Sequence, residues 1–139
     1  IIPTVISQIL SGKKDIQLGN LNPTRDLTFV KDTVEGFYQI SKAEKLIGSA
    51  TNIGMNDEIT INDLVVLISK LMNTEIKISS SFDRIRPEKS EVERLYCNNK
   101  KILENTLWKP KYNLNSGLLE TIDWMKKNIN NYKSDIYNV

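Results

Sequence analysis

Short apolar segments typical of β-strands alternate along this chain with amphipathic segments typical of α-helices, and this alternation constrains the fold most strongly. In residues 61–72 apolar side chains recur at helical spacing, and residues 4–10 repeat that spacing over a shorter length. Residues 16–18 alternate as a short strand does. The pattern predicts an α/β fold with a small mixed sheet and about five helices, and argues against a full six-stranded doubly wound sheet.

Weaker signals place the remaining elements. Two helix starts carry capping signatures, formed by Thr60 with Asp63 and by Asp32 with Glu35. Residues 79–93 are polar and charged, which is typical of a long loop. The other predicted elements are strands at 27–30, 50–53 and 76–78, a short helix over 98–103 and a final amphipathic helix over 114–129.

Composition excludes several classes of function. The chain has one cysteine and no histidine among its 139 residues, so an internal disulfide, a Ser-His-Asp triad and a Cys-His pair are impossible within it. Its net charge of +2 argues against a dominant electrostatic role on nucleic acid or an acidic membrane. The acids show no metal-site spacing, no apolar run is long enough to cross a bilayer, and the first residues do not resemble a signal peptide.

Tyr38 and Lys42 form a Tyr-x-x-x-Lys pair, in which a lysine can lower the pKa of a phenol that acts as acid or base. The spacing places both residues on one helix face. The alternative, which we favour, is that Tyr38 packs with its apolar neighbours and Lys42 is a solvated surface charge. No G-x-G-x-x-G sequence, the glycine pattern that binds a dinucleotide, occurs anywhere in the chain.

Arginines in two separate loop regions form the other candidate site. Arg25 follows a turn-rich stretch, while Arg84 and Arg86 lie in the long polar loop. Two guanidinium groups from separate loops can grip a diphosphate through fork-shaped, charge-assisted hydrogen bonds. The alternative is that the arginines form ion pairs with the many acids nearby. Composition alone supports the two interpretations equally. The dispersed lysine pairs indicate a solvated surface, and Cys97 a small buried or half-buried residue.

An ordered set of motifs resembles the C-terminal half of the extended short-chain dehydrogenase/reductase family, the NAD-dependent nucleotide-sugar epimerases and dehydratases. The likeness runs from Ile1 to about Asn130. The stretch from Arg84 to Leu95 is more similar still to 4,6-dehydratases acting on nucleotide-linked N-acetylglucosamine. In chain order the motifs are Ile2-Pro3, Arg25-Asp26-Leu27-Thr28-Phe29-Val30-Lys31-Asp32, Asn52-Ile53-Gly54, Arg86-Pro87, Leu107-Trp108-Lys109-Pro110, Gly117-Leu118 and Thr121-Ile122-Asp123-Trp124.

The resemblance implies roles for the arginines and for one acid. Arg25 and Arg86 match the two arginines that clamp the diphosphate. Many relatives carry Arg-Pro-Gly-Asp, with the acid on the nucleotide's ribose, whereas this chain has Glu88-Lys89-Ser90-Glu91 there. Glu91 is therefore the residue expected to serve in place of that acid.

The resemblance also implies which residues contact the nucleotide base, and that NAD binding and catalysis belong to another part of the family's fold. Ile16, Gln17 and Leu18 match a short strand lying along the base, and Ile1 matches an apolar residue near it. Family members bind NAD and carry their catalytic Tyr-x-x-x-Lys on an N-terminal Rossmann half. Tyr38 and Lys42 fall where the family has an ordinary helix, so no catalytic, cofactor-binding or metal-binding residue is expected here.

These expectations define a substrate-binding half over residues 1–130 and a C-terminal tail over 131–139. The implied protein is cytoplasmic, serves cell-surface polysaccharide biosynthesis, and needs NAD and the missing Rossmann half for activity. The ligand is expected to be a UDP- or GDP-linked N-acetylhexosamine, and a homodimer is possible for the intact enzyme. The alternative is a free-standing binding or interaction module that reuses the fold without catalysis.

Overall fold

A computed structural model describes residues 1–80 and 91–132 and shows a layered α/β arrangement in that part of the chain. The helices are α1 (Ile2–Leu10), α2 (Val30–Ser41), α3 (Ile61–Leu71), α4 (Lys100–Asn105) and α5 (Leu114–Lys127), with 3₁₀ turns at Glu44–Leu46 and Ile129–Asn131. The strands are β1 (Asp15–Leu18), β2 (Thr24–Arg25), β3 (Ile59–Thr60), β4 (Lys77–Ser80) and β5 (Arg94–Leu95).

The strands form two small sheets, as the alternating pattern predicted. β1 pairs in parallel with β4, with Asp15 opposite Lys77 and Leu18 opposite Ser80. In the other sheet β2 lies between β3, which is antiparallel to it, and β5, which is parallel. The predicted fold class is confirmed, including the small size and mixed direction of the strands.

The hydrophobic core lies where α1, α3 and α5 pack on one another and on β1. Periodicity predicted these helices because each one buries a single apolar stripe. Thr60 caps α3 as expected, since its hydroxyl accepts a hydrogen bond from the Asp63 N–H at 3.0 Å. The buried core side chains are Val5, Ile6, Ile9, Ile16, Leu18, Ile61, Leu64, Val65, Ile68, Leu118, Ile122 and Met125.

The predicted strand over residues 27–30 and the predicted cap at Asp32 are both wrong. α2 already begins at Val30, and the extended residue before it is Phe29. The apolar character of this segment reflects packing, because the Phe29 ring lies 4.5 Å from that of Tyr112 and against Gly117. Asp32 lies in the first turn of α2 and is 2% exposed, so its carboxylate is used for something other than capping.

The Asp32 carboxylate holds the segment that leads into α5. Its two oxygens accept hydrogen bonds from the backbone N–H groups of Lys111, at 2.9 Å, and Tyr112, at 3.0 Å. The Trp108 indole N–H donates to the Asp32 backbone carbonyl at 2.8 Å. Lys31 adds a link at the surface, because its ammonium lies 2.5 Å from the Glu120 carboxylate. The first turn of α2 is thus bonded to residues about eighty positions later in the chain.

The predicted strand over residues 50–53 is also wrong. The segment adopts no regular structure, and no strand lies beside it in the part of the chain that the structure describes. A strand exists only where a neighbour accepts and donates its backbone hydrogen bonds, and sequence pattern carries no information about that neighbour. Among the described helices, none combines the length and the apolar character needed to span a bilayer.

Replacing Asp32 by alanine is expected to lower the free energy of unfolding by about 3 kcal/mol, because two backbone N–H groups lose their charged acceptor. Urea denaturation followed by circular dichroism measures this difference. The matched control is Asp123→Ala on the exposed side of α5, expected to change the free energy by less than about 0.5 kcal/mol. Equal effects for the two variants would contradict the role given to Asp32.

Candidate functional site

Arg25 lies on β2 with its guanidinium drawn towards the chain that precedes β5. Its Nη1 donates to the backbone carbonyls of Thr24, at 2.7 Å, and Val92, at 2.8 Å. Its Nη2 lies 3.2 Å from Oε1 of Glu91, and the two side chains are only 20% and 13% exposed. The Nε–H makes no hydrogen bond to any residue in 1–80 or 91–132, so the guanidinium keeps donor capacity.

The parallel pairing of β2 with β5 positions this arrangement. The Thr24 N–H donates to the Glu93 carbonyl, and the Asp26 N–H donates to the Leu95 carbonyl, both at 2.9 Å. This register pairs Arg25 with Leu95, and the Arg25 side chain reaches back to Glu91 and Val92, just before β5. The structure therefore brings together two of the predicted site residues, Arg25 and Glu91. Arg86 lies outside the described residues, as does Arg84.

A second ion pair fastens the same sheet across its three strands. Glu58, just before β3, accepts hydrogen bonds from the Arg94 guanidinium, with the shortest contact at 2.6 Å, and from the Thr24 hydroxyl at 2.5 Å. Both sets of hydrogen bonds lower the pKa of the Glu58 carboxyl. Those from Arg94 have the larger effect and that from Thr24 the smaller. The Arg94 guanidinium also lies 4.8 Å from the centre of the Tyr96 ring. Arg94 is therefore committed to holding the sheet.

Asp26 fixes the loops on the other side of Arg25. One carboxylate oxygen accepts from the Met55 N–H at 2.8 Å, and the other from the Cys97 N–H at 3.2 Å and the Asp57 N–H at 3.4 Å. The loops approach so closely at Gly54 that a Cβ there would lie 2.3 Å from the Cβ of Cys97. Glycine is required at this position because any side chain would collide with its neighbour.

Cys97 is thereby half-buried. Burial, and to a smaller extent the negative charge of Asp26, raise the pKa of its thiol. A raised thiol pKa reduces the fraction of thiolate, the nucleophilic form. Cys97 is thus a packing residue at the point where residues 54 and 97 meet, in agreement with the sequence-based interpretation.

A cavity of about 100 Å³ adjoins Arg25. Its walls come from β2, from the loop that Asp26 holds, from β3 and from the start of α5. The lining residues are Arg25, Leu27, Met55, Asp57, Glu58, Ile59, Asn113 and Leu114. A cationic donor at the edge of a small recess can bind an anionic group of a larger ligand whose remainder lies outside.

The other predicted binding residues occupy varied positions. Ile16 and Leu18 are buried in the core, so only their backbone could contact a ligand. Both backbone groups of Gln17 bond the buried amide of Gln8, with its Oε1 at 3.2 Å and its Nε2 at 3.4 Å. Ile1, at the entrance to α1, is 41% exposed. Their proposed contacts with a base stay predictions.

Tyr38 and Lys42 lie together on the exposed side of α2. The Lys42 ammonium donates to the Tyr38 hydroxyl and lies over the Tyr38 ring. Neither residue lines the cavity beside Arg25. In the described ranges, 1–80 and 91–132, no group of three histidine, cysteine, aspartate or glutamate side chains has the arrangement of a metal site.

The structural roles of Asp26 and Asp32 escaped sequence reasoning, although both acids stand in the Arg-Asp-x-x-Phe-Val-x-Asp motif. Their hydrogen-bond donors lie 29 to 80 positions away in the chain. The available signal was the presence of the two acids in this motif, and the motif does not identify the partners.

Comparisons with known proteins all indicate the same family. The family described as GDP-mannose 4,6 dehydratase matches residues 1–121. A putative UDP-glucose 4-epimerase from Methanocaldococcus jannaschii is 30% identical over 128 residues, which are 92% of this chain and 39% of that protein. The dTDP-D-glucose 4,6-dehydratase of Mus musculus is 28% identical, over 96% of this chain and 38% of its own length.

Solved structures agree with these matches. A dTDP-glucose 4,6-dehydratase from Bacillus anthracis, in complex with NAD, superposes with a TM-score of 0.76 at 28% identity, over 91% of this chain and 39% of that one. An epimerase from Methanothermobacter thermautotrophicus has the same fold, with a TM-score of 0.83 at 24% identity over 94% of this chain and 39% of that one. The chain thus spans about two-fifths of the length of the relatives it matches.

The Glu58–Arg94 pair predicts a pH-dependent contribution to stability. A carboxyl whose pKa is lowered on folding stabilises the folded state above its usual value of 4.5, and that contribution is lost as the pH falls below it. The variant Arg94→Gln should therefore have a lower Tm than the parent at pH 7, and the difference should shrink as the pH falls below about 4.5.

Thermal unfolding followed by circular dichroism at several pH values measures this change. Lys100→Gln, which removes a more exposed ion pair with Glu104 on α4, is the control and should shift the Tm little at either pH. A difference between parent and Arg94→Gln that stays constant from pH 7 to pH 3 would exclude the proposed contribution of Glu58.

Proposed function

The chain belongs to the GDP-mannose 4,6-dehydratase family of NAD-dependent nucleotide-sugar epimerases and dehydratases, and from this we propose that it forms the substrate-binding portion of such an enzyme. The ligand class we propose is a UDP- or GDP-linked N-acetylhexosamine. The proposed portion covers residues 1–130, followed by a tail at 131–139. In this role the whole enzyme acts in the cytoplasm on precursors of cell-surface polysaccharide.

One observation supports the proposal: the Arg25 guanidinium on β2 is held against Glu91 and the Val92 carbonyl, which directly follow residues 81–90 in the chain. Arg25 is held in place by the Val92 carbonyl and Glu91 yet keeps an unused N–H donor among the described residues. A fixed guanidinium binds phosphate oxygens at a lower entropic cost than a mobile one. A second arginine from residues 81–90 completes the proposed diphosphate clamp.

Glu91 has two tasks in this proposal. Its carboxylate fixes the direction of the Arg25 guanidinium, which lies 3.2 Å away, and its free acceptor capacity is directed to a ribose hydroxyl. Ile1 and the backbone of Ile16, Gln17 and Leu18 are proposed to lie along the base. The likeness to relatives that act on nucleotide-sugars supports these assignments.

The chain's own residues do not fit an NAD site. The described connections from strand to helix, at 26–29 before α2, at Thr60–Ile61 before α3 and at 96–99 before α4, contain no glycine. A dinucleotide pyrophosphate needs a glycine-rich turn at such a connection so that the backbone can approach it closely. We therefore propose that NAD and the catalytic groups belong to a Rossmann portion that must join this one, and that this chain alone is inactive.

A free-standing binding module is the second candidate. Such a module would have the same diphosphate clamp but would need no partner. Its surface should therefore expose mainly polar side chains. The exposed apolar side chains along α2 favour an enzyme portion over a self-sufficient module.

The substitution Arg25→Ala is expected to weaken UDP binding at least about tenfold, because it removes charge-assisted hydrogen bonds to the diphosphate. Arg86→Ala should have an effect of similar size, and isothermal titration calorimetry at low ionic strength measures both. Lys42→Ala removes an exposed cation on α2 and is the control, with unchanged affinity expected. UDP binding that survives the double variant Arg25→Ala, Arg86→Ala would disprove the clamp.

A further inference from the structure

Four acidic residues lie around the cavity beside Arg25, which makes it an unfavourable place for an anion unless their charges are compensated. Two of them line the cavity, one is bonded to Arg25 itself, and one holds a wall of the cavity through the Met55 N–H. An uncompensated carboxylate at this place would repel a phosphate group and weaken its binding. In the order just given, the acids are Asp57 and Glu58, Glu91, and Asp26.

Three of the four acids have partners that the course of the main chain or Arg25 itself supplies. Asp26 accepts hydrogen bonds from three backbone N–H groups of the loops that it holds. Asp57 accepts one from the Glu58 N–H at 2.9 Å. Glu91 pairs with the Arg25 guanidinium at 3.2 Å. Glu58 differs from these three, because the partners of its carboxylate are the side chains of other residues.

The Arg94 guanidinium holds the Glu58 carboxylate in a fork-shaped contact. Its Nε–H donates to both carboxylate oxygens, at 2.9 and 3.0 Å, and its Nη2 donates to one of them at 2.6 Å. The same bonds lower the pKa of the Glu58 carboxyl, so this group is ionised near neutral pH. The charge that Glu58 presents to the cavity therefore depends on whether Arg94 neutralises it.

We propose that Arg94 is a positioning residue for the diphosphate, because by neutralising Glu58 it keeps the cavity beside Arg25 attractive to an anion. This inference rests on the proposed function. Without Arg94, the Glu58 carboxylate remains at the cavity as an unpaired charge and offsets the attraction of Arg25 for phosphate. The Glu58 side chain is only 26% exposed, so water screens this charge incompletely. In the described part of the chain Arg94 does not line the cavity, so it acts through Glu58.

The competing interpretation is that Arg94 only fastens the sheet, and the two interpretations differ in what they predict for Glu58. If the ion pair matters only for the sheet, Glu58→Gln and Arg94→Gln should both loosen the sheet and both weaken ligand binding. If the charge matters, Glu58→Gln removes a repulsion and should strengthen the binding of an anion. The effects of the two substitutions on affinity then have opposite signs.

The test is a double-mutant cycle, with UDP and inorganic pyrophosphate titrated into the full chain by calorimetry at low ionic strength. We expect Arg94→Gln to weaken the binding of both ligands at least about threefold and Glu58→Gln to strengthen it about twofold. The variant that combines the two substitutions should return to within about twofold of the parent. Uridine, which has no phosphate, should bind equally to all four proteins.

Thermal unfolding of the same four proteins supplies a second readout. All three variants lack the ion pair, so each should have a lower Tm than the parent at pH 7, and affinity should not follow Tm across the series. The control, Lys100→Gln, removes an exposed cation on α4 and should leave the affinity for both anions unchanged. Added salt should narrow the differences in anion affinity among the four proteins.

Two results overturn the inference: an Arg94→Gln variant that binds both anions as tightly as the parent, or a combined variant that binds them as weakly as Arg94→Gln alone. The two ligands separate this inference from the proposed function. Pyrophosphate binding that depends on Arg94, without any UDP binding, refutes the proposed substrate role and leaves the role of Arg94 standing. UDP binding that is indifferent to Arg94 does the reverse, and a parent chain that binds neither ligand refutes both.

Discussion

Two carboxylates, Asp26 and Asp32, accept backbone hydrogen bonds from segments far away in the sequence, and the arrangement of the loops depends on those bonds. Asp26 joins the loop at residues 55–57 to Cys97, and Asp32 joins α2 to the segment before α5. A carboxylate that is partly or fully removed from water is stable only when donors compensate for its lost hydration. Here backbone N–H groups supply the donors, so the two acids fix the course of the main chain.

The geometry around Arg25 follows from this. Asp26 holds one wall of the cavity beside Arg25, while the pairing of β2 with β5 supplies Glu91 and the Val92 carbonyl on the other side. The guanidinium is thereby oriented before any ligand arrives. In α2, which follows this segment, Asp32 and Gly36 are buried while Val30, Val34 and Phe37 are exposed.

Elements in which apolar residues recur at a regular spacing could be predicted from sequence. Elements defined by contacts with residues distant in the sequence could not. The apolar stripes of α1, α3 and α5 determine those helices almost alone. The two-residue strands β2, β3 and β5 are too short to show a period, and Phe29 is apolar because it packs against Gly117 on α5. For the candidate site, sequence identified Arg25 and Glu91 but not the bonds that join them, since those span 66 positions.

The central claim is that this fold presents its arginines to a diphosphate, and a comparison of UDP with uridine tests it most directly. Calorimetric titrations of the chain at matched ionic strength isolate the contribution of the phosphates. The account predicts that UDP binds at least about tenfold more tightly than uridine and that added salt narrows the gap. Equal affinities for the two ligands at low salt would contradict it.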